Sequence, residues 1–150
     1  MHTIELFGIP IYRKMLEGTG LDIVQKELFK ACDSVKFAQN RHWTSNTHEL
    51  SENPFNECIL TKNECSNFLR HLDFCIKQYL NTIPNSAVSN TKSKHPNYRI
   101  TASWFTKTKQ GQNAHLHSHG DADIAGVYYV QSNNQDGELS LRNPNVILQS

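Results

Sequence analysis

The sequence predicts an α+β domain, because helical patterns come first and strand patterns follow. In residues 21–38 and 61–83, apolar side chains recur at steps of three and four, the spacing of an amphipathic helix. From residue 98 the period changes to two, as in strands that bury one face. This order favours helices packed on one side of a sheet or barrel. With 150 residues, the chain suits a single domain spanning residues 1–150.

The first third of the chain predicts an extended segment, a helix and a loop. Residues 4–12, which are apolar except for Glu5, predict a short extended segment, and Pro10, which lacks an amide donor, suits a sheet edge or an entry loop. Residues 21–38 predict the first helix from their apolar spacing. Residues 40–58 are polar and aperiodic and predict a loop. The loop contains His42, Trp43 and His48; we interpret them as loop residues, and the alternative is that the two histidines near a tryptophan line a site.

Residues 61–83 carry the clearest helical pattern. Thr61 and Glu64 have the spacing of a capping box, in which each side chain bonds the other residue's amide. Pro84 is expected to end this helix. The apolar stripe consists of Cys65, Phe68, Leu69, Leu72, Ile76, Tyr79, Leu80 and Ile83.

The last third predicts strands separated by polar turns. The turns are expected at residues 110–113 and 133–137, where glycine follows polar residues. The strand patterns cover residues 98–105, 115–119, 124–130 and 138–141.

Composition excludes several classes of function. A net charge of +1 argues against binding nucleic acid through its phosphate backbone. No signal peptide pattern and no apolar run of about 20 residues is found, so we expect no membrane association. The four cysteines lack CxxC spacing, which predicts free thiols in a reducing, cytoplasmic setting.

Three histidines at alternate positions form the pattern that carries chemistry. His115, His117 and His119 would point to one face of a strand, and imidazole is a common metal ligand. Alpha carbons two residues apart are separated by roughly 6.6 Å, which two imidazoles can bridge, whereas the outer pair is about 13 Å apart. The ligand pair is therefore His115 with His117 or His117 with His119, and His117 belongs to both.

Carboxylates follow this run directly. His119 and Asp121 have HxD spacing, which supplies two corners of a 2-His-1-carboxylate facial triad, and Asp123 lies two residues further on. The alternative interpretation is a polar strand end rich in His and Asp.

Residues 103–144 resemble a family of 2-oxoglutarate/Fe(II) oxygenases that is related to prolyl hydroxylases and frequent in phage and marine bacterial genomes. The shared pattern is a strand with Trp, a polar turn, HxH, Gly-Val-Tyr-Tyr at residues 126–129, Gly-x-Leu and Asn-Pro. The opening Leu-Phe-Gly-Ile-Pro-Ile-Tyr is also similar to the start of such proteins.

The resemblance implies a double-stranded β-helix (jelly-roll or cupin-like) with the N-terminal helices packed on it. It implies Fe(II) as the metal, 2-oxoglutarate and O2 as cosubstrates, and hydroxylation of a peptidyl or small-molecule substrate. Counting back from Gly126 places the family's HxH on His117 and His119. Tyr129 matches a position that contacts the far carboxylate of 2-oxoglutarate.

The sequence departs from the family pattern in two ways. The second motif position is usually Asp or Glu in the wider superfamily, and here it is His119. No histidine follows His119, and Arg142 is the only later basic residue, so the distal histidine and carboxylate anchor are missing. We therefore expect that the last strands are absent, or that another chain completes the domain, which makes an oligomer an option.

Two other functions fit the same residues. One is a non-catalytic cupin-like module, such as a virion or assembly component with a vestigial metal site. The other is a metal enzyme without 2-oxoglutarate, such as a cupin-type isomerase that uses all three histidines on a bent strand.

Overall fold

The computed structural model is a mixed α+β fold with small antiparallel sheets, so the predicted fold class is confirmed at this level. It describes residues 2–6, 8–39, 47–52, 58–83, 98–120, 122–133, 135 and 137–142. The elements in chain order are β1 (His2–Leu6), β2 (Ile9–Arg13), α1 (Thr19–Asp33), β3 (Phe37–Gln39), β4 (Glu49–Ser51), α2 (Ile59–Lys62), α3 (Ser66–Thr82) and β5 (Thr106–Lys107).

The N-terminal segment is a hairpin and not the single extended stretch that the sequence predicts. Strands β1 and β2 pair antiparallel, with Glu5 opposite Pro10. Gly8 adopts a φ of 78°, a conformation that glycine tolerates without a steric penalty, and this allows the chain to reverse. The hairpin docks on α3, where the Tyr79 hydroxyl donates to the Pro10 carbonyl at 3.1 Å.

The first predicted helix ends earlier than its pattern indicates. Helix α1 ends at Asp33, and the Ser34 side chain donates to the Ala31 carbonyl at 2.7 Å. This hydrogen bond satisfies one of the carbonyl groups that have no intrahelical partner in the last turn of a helix. Residues 37–39 then pair antiparallel with β4. The predicted loop 40–58 thus contains a strand, and His42 and Trp43 lie outside the described residues.

The predicted helix 61–83 is divided into α2 and α3, and the prediction of a capping box is wrong. Glu64 has a φ of 54°, which is not helical, and the Thr61 hydroxyl bonds the Cys58 carbonyl at 2.9 Å instead of a downstream amide. Helix α3 is capped by Glu27 of α1, whose carboxylate accepts from the amides of Asn67 and Phe68 at 3.1 and 3.0 Å. The predicted C-terminus is confirmed: Ile83, which precedes a proline, is extended.

One core joins the two long helices to the C-terminal segment. Its buried members are Val24, Leu28, Ala31, Ile59, Cys65, Phe68 and Phe105. Tyr128 and Val130 pack against this cluster, and the rings of Phe68 and Tyr128 lie 4.9 Å apart.

The predicted strand 98–105 is wrong: these residues are described, and none of them belongs to a regular strand. Ser103 forms an isolated bridge with Cys58, and β5 covers Thr106–Lys107, beside β4. Among the described residues from 108 to 142, none is assigned to a strand, including those of the predicted strands 115–119, 124–130 and 138–141. An alternating pattern sets which face is buried, but a strand also needs a hydrogen-bonded neighbour. The alternation itself is visible, since Tyr128 and Val130 face the core whereas Val127 and Tyr129 are exposed.

Within the described part of the chain, no helix is long and apolar enough to cross a membrane. The four cysteines are free thiols, as the sequence predicts.

Candidate metal centre

The histidine run, residues 115–119, lies on the surface and follows a turn. The Gln112 amide donates to the Lys109 carbonyl at 3.0 Å, and Gly111 has a φ of 80°, so the turn expected at residues 110–113 is present. Residues 113–120 are exposed. The Ala122 amide then donates to the His119 carbonyl at 3.0 Å, which closes a turn directly after the run.

The imidazoles of His117 and His119 lie next to each other. Their ring centroids are 5.0 Å apart, with the planes inclined at 69°. A metal bound at about 2.1 Å from a ring nitrogen lies roughly 3.2 Å from that ring's centroid. If both rings point at one ion, the observed separation corresponds to a nitrogen–metal–nitrogen angle of roughly 100°, between the octahedral and tetrahedral values. The donor type and the spacing of this pair fit two ligands of a transition metal.

Two contacts orient this pair. The Nδ1 atom of His117 lies 2.7 Å from the His115 carbonyl oxygen. Because a carbonyl can only accept, His117 donates from Nδ1 in this contact, and its ring lone pair is on Nε2. The indole of Trp104 stacks on His119 with centroids 6.0 Å apart and planes inclined at 25°. This ring stacking restricts rotation of the His119 imidazole.

The other predicted site residues do not join the pair of His117 and His119 rings in the described part of the chain. The His115 backbone contacts the His117 ring, and Tyr129 is exposed on the face opposite Tyr128. Asp121 lies outside the described residues, and Asp123 is exposed. Within the described ranges, no group of three or more His, Cys, Asp or Glu side chains is arranged to hold a metal ion.

A fourth histidine, His48 in the predicted loop 40–58, lies near this run. His48 immediately precedes β4 and is buried, with an exposed fraction of 4%. Burial lowers the pKa of His48, a hydrogen bond with the Asn113 carbonyl opposes this, and the electrostatic interaction with the nearby His117 and His115 side chains lowers the pKa further. The proximity of His48 to Trp43 in the sequence marked it as an alternative site residue, but its contact with Asn113, 65 positions away, has no local sequence signal.

A cleft elsewhere on the molecule does not include these histidines. It has a volume of about 250 Å³ and is lined by residues 34–36, which follow α1, by Glu52, and by Ile59, Lys62 and Asn63 in and after α2. The candidate metal centre is thus a surface feature and not part of this cleft.

Comparison with family models, with curated proteins and with solved structures found no match to this chain. The family resemblance of residues 103–144 therefore stays a prediction.

Proposed function

We propose that this protein is a 2-oxoglutarate- and Fe(II)-dependent dioxygenase that hydroxylates a peptidyl or small-molecule substrate. The observation that carries the proposal is the adjacency of the His117 and His119 rings, 5.0 Å apart, in a motif that resembles the iron-binding strand of that family. The corresponding fold is a double-stranded β-helix, to which the exposed alternating residues after position 113 would contribute strands. Free thiols fit the expected cytoplasmic setting.

In this proposal the chain's own residues bind the metal and the cosubstrate and orient the metal ligands. His117 and His119 hold the metal through one nitrogen each, and the contact between His117 and the His115 carbonyl keeps the His117 lone pair on Nε2. Trp104 restricts the His119 ring by stacking. Tyr129 is the proposed contact for the far carboxylate of 2-oxoglutarate. Bound Fe(II) with 2-oxoglutarate and O2 supplies the oxidising chemistry, while the protein supplies position and access.

The test is an anaerobic titration of the full-length protein with Fe(II) and 2-oxoglutarate, followed by visible absorption. We expect a charge-transfer band that needs both components. His117→Ala and His119→Ala should abolish the band. His115→Ala should retain it, because that substitution removes the imidazole but keeps the carbonyl that His117 contacts. His71→Ala, a histidine on α3, is the matched control for loss of an unrelated imidazole.

Asp121, which has HxD spacing from His119, is the alternative carboxylate ligand. Asp121→Asn should weaken the band, while Asp123→Asn, two residues further on, should leave it unchanged. Equal effects of the two substitutions would contradict a specific role for Asp121.

Two results would favour the other functions. Metal binding that does not depend on 2-oxoglutarate and requires His115 would favour a metal enzyme of a different type. No metal binding, with unchanged thermal stability of His117→Ala, would favour a non-catalytic module.

A further inference from the structure

His48 differs from the other histidines near the candidate metal centre because it is buried. His115, His117 and His119 are exposed, whereas the exposed fraction of His48 is 4%. Its neighbour Thr47 is completely buried. Burying a polar ring costs free energy unless the ring is hydrogen-bonded, so the contacts of His48 are expected to be structurally important.

Two contacts tie this buried segment to the start of the histidine run. The Nδ1 atom of His48 lies 3.4 Å from the Asn113 carbonyl oxygen, a long hydrogen bond in which the ring must donate. Thr47 forms a parallel bridge with the same residue, Asn113. Asn113 is two residues before His115 and four before His117. The interior of the protein therefore holds the chain at the point from which the exposed run extends.

This attachment matters because the run beyond it is exposed. Residues 114–120 are exposed, so the position of His117 and His119 depends on where the chain leaves Asn113. Metal affinity depends on how far the two imidazoles are already in place before the ion binds.

We propose that His48 is a positioning residue for the metal centre: its buried imidazole holds the Asn113 carbonyl and thereby sets the direction of the His115–His119 segment. The inference rests on the proposed metal-binding function of His117 and His119. His48 itself acts through Nδ1 and the backbone, and it does not ligate the metal.

The two ring nitrogens of His48 can be distinguished by substitution. The amide nitrogen of Asn occupies approximately the place of Nδ1, and that of Gln the place of Nε2. His48→Asn should therefore retain the contact with Asn113, whereas His48→Gln and His48→Leu should lose it. His71→Gln, in a half-buried histidine of α3, is the matched control.

The measurement is a titration with Co(II) alone, followed by its visible ligand-field absorption, together with thermal unfolding of each variant. We expect His48→Asn to bind Co(II) within about threefold of the wild type. His48→Gln and His48→Leu should bind about tenfold more weakly, the lower end of the effect of outer-shell substitutions, and should show a changed absorption band. A variant that is only less stable would not change the band of the bound ion.

Several outcomes would overturn the inference. If His48→Gln retains affinity and His48→Asn loses it, His48 acts through Nε2, as a ligand would. If all His48 variants equal the wild type, or all are equally weakened, the Nδ1 contact does not position the site. Loss of binding in His48 variants together with normal binding by His117→Ala would instead contradict the proposed metal centre itself.

Nuclear magnetic resonance of the wild type with ¹⁵N-labelled histidine tests the same point without a substitution. We expect His48 to carry its proton on Nδ1, and Zn(II) to shift the ring nitrogens of His117 and His119 much more than those of His48. A ligation-sized shift at His48 would overturn the positioning role.

Discussion

The carboxylate of Glu27 caps helix α3 from a different helix, and removing it gives a sharp test of the packing. Oε1 accepts from the Phe68 amide at 3.0 Å. Oε2 accepts from the Asn67 amide at 3.1 Å and from the Asn67 side chain at 2.7 Å. These amides are at the second and third positions of α3, where an N-cap side chain of the helix itself would normally bond. Glu27→Ala removes all three contacts.

The expected cost follows from these contacts. Loss of an N-cap costs about 1 kcal/mol, and hydrogen bonds to a charged group contribute about 1.5–3 kcal/mol each when buried. Glu27 is only half-buried, so we expect the free energy of unfolding to fall by about 2 kcal/mol. Glu27→Gln keeps one acceptor oxygen and loses the charge near the positive helix end, so about half of this effect is expected.

Urea denaturation followed by circular dichroism measures the effect, with Glu17→Ala as the exposed control. The control should change the free energy of unfolding by no more than about 0.5 kcal/mol. In thermal unfolding, Glu27→Ala should lower Tm by roughly 4–8 °C. If Glu27→Ala and Glu17→Ala are equally stable, Glu27 does not cap α3 in solution.

Two further predictions concern the core and a cysteine. Leu28 on α1 is 1% exposed, so Leu28→Ala should lower the free energy of unfolding by about 2–5 kcal/mol in urea denaturation. Ile23→Ala on the same helix, at 53% exposure, should cost less than about 1 kcal/mol; equal costs would contradict the burial of Leu28. Burial raises the pKa of Cys58, but hydrogen bonds from Ser103, Thr61 and the Leu60 backbone outweigh it, so the net pKa is lowered. Iodoacetamide alkylation of Cys58, followed by mass spectrometry against pH, should therefore begin at lower pH than that of Cys65, whose pKa burial raises. Ser103→Ala should move the Cys58 profile to higher pH, and alkylation of Cys65 before Cys58 would count against the hydrogen bonds.

Local sequence patterns were sufficient to predict features whose residues lie within one helix or one short segment. The apolar stripe after residue 65 predicts α3, with Phe68 in the core and the helix ending before Pro84. The HxH spacing predicts that neighbouring imidazoles lie together, and the rings of His117 and His119 do so. In each case the relevant residues are within a few positions of one another, so the backbone period alone relates them. The inward orientation of Tyr128 and Val130, by contrast, is not predicted by the apolar run at residues 127–130, because all four of these side chains are apolar or aromatic.

The tertiary structure decided the features that depend on distant partners. The capping box at Thr61 and Glu64 failed because Glu27, 40 residues before Asn67, supplies the cap instead. Residues 37 and 38, the last of the predicted helix, are in β3 instead because they pair with β4. His48 lies close to the histidine run only because β4 and the segment after β5 come together. The sequence by itself thus determined the α+β class, α3 and the histidine pair. The helix caps, the strand partners and the buried support of the site arise from contacts between residues far apart in the chain, which no local period encodes.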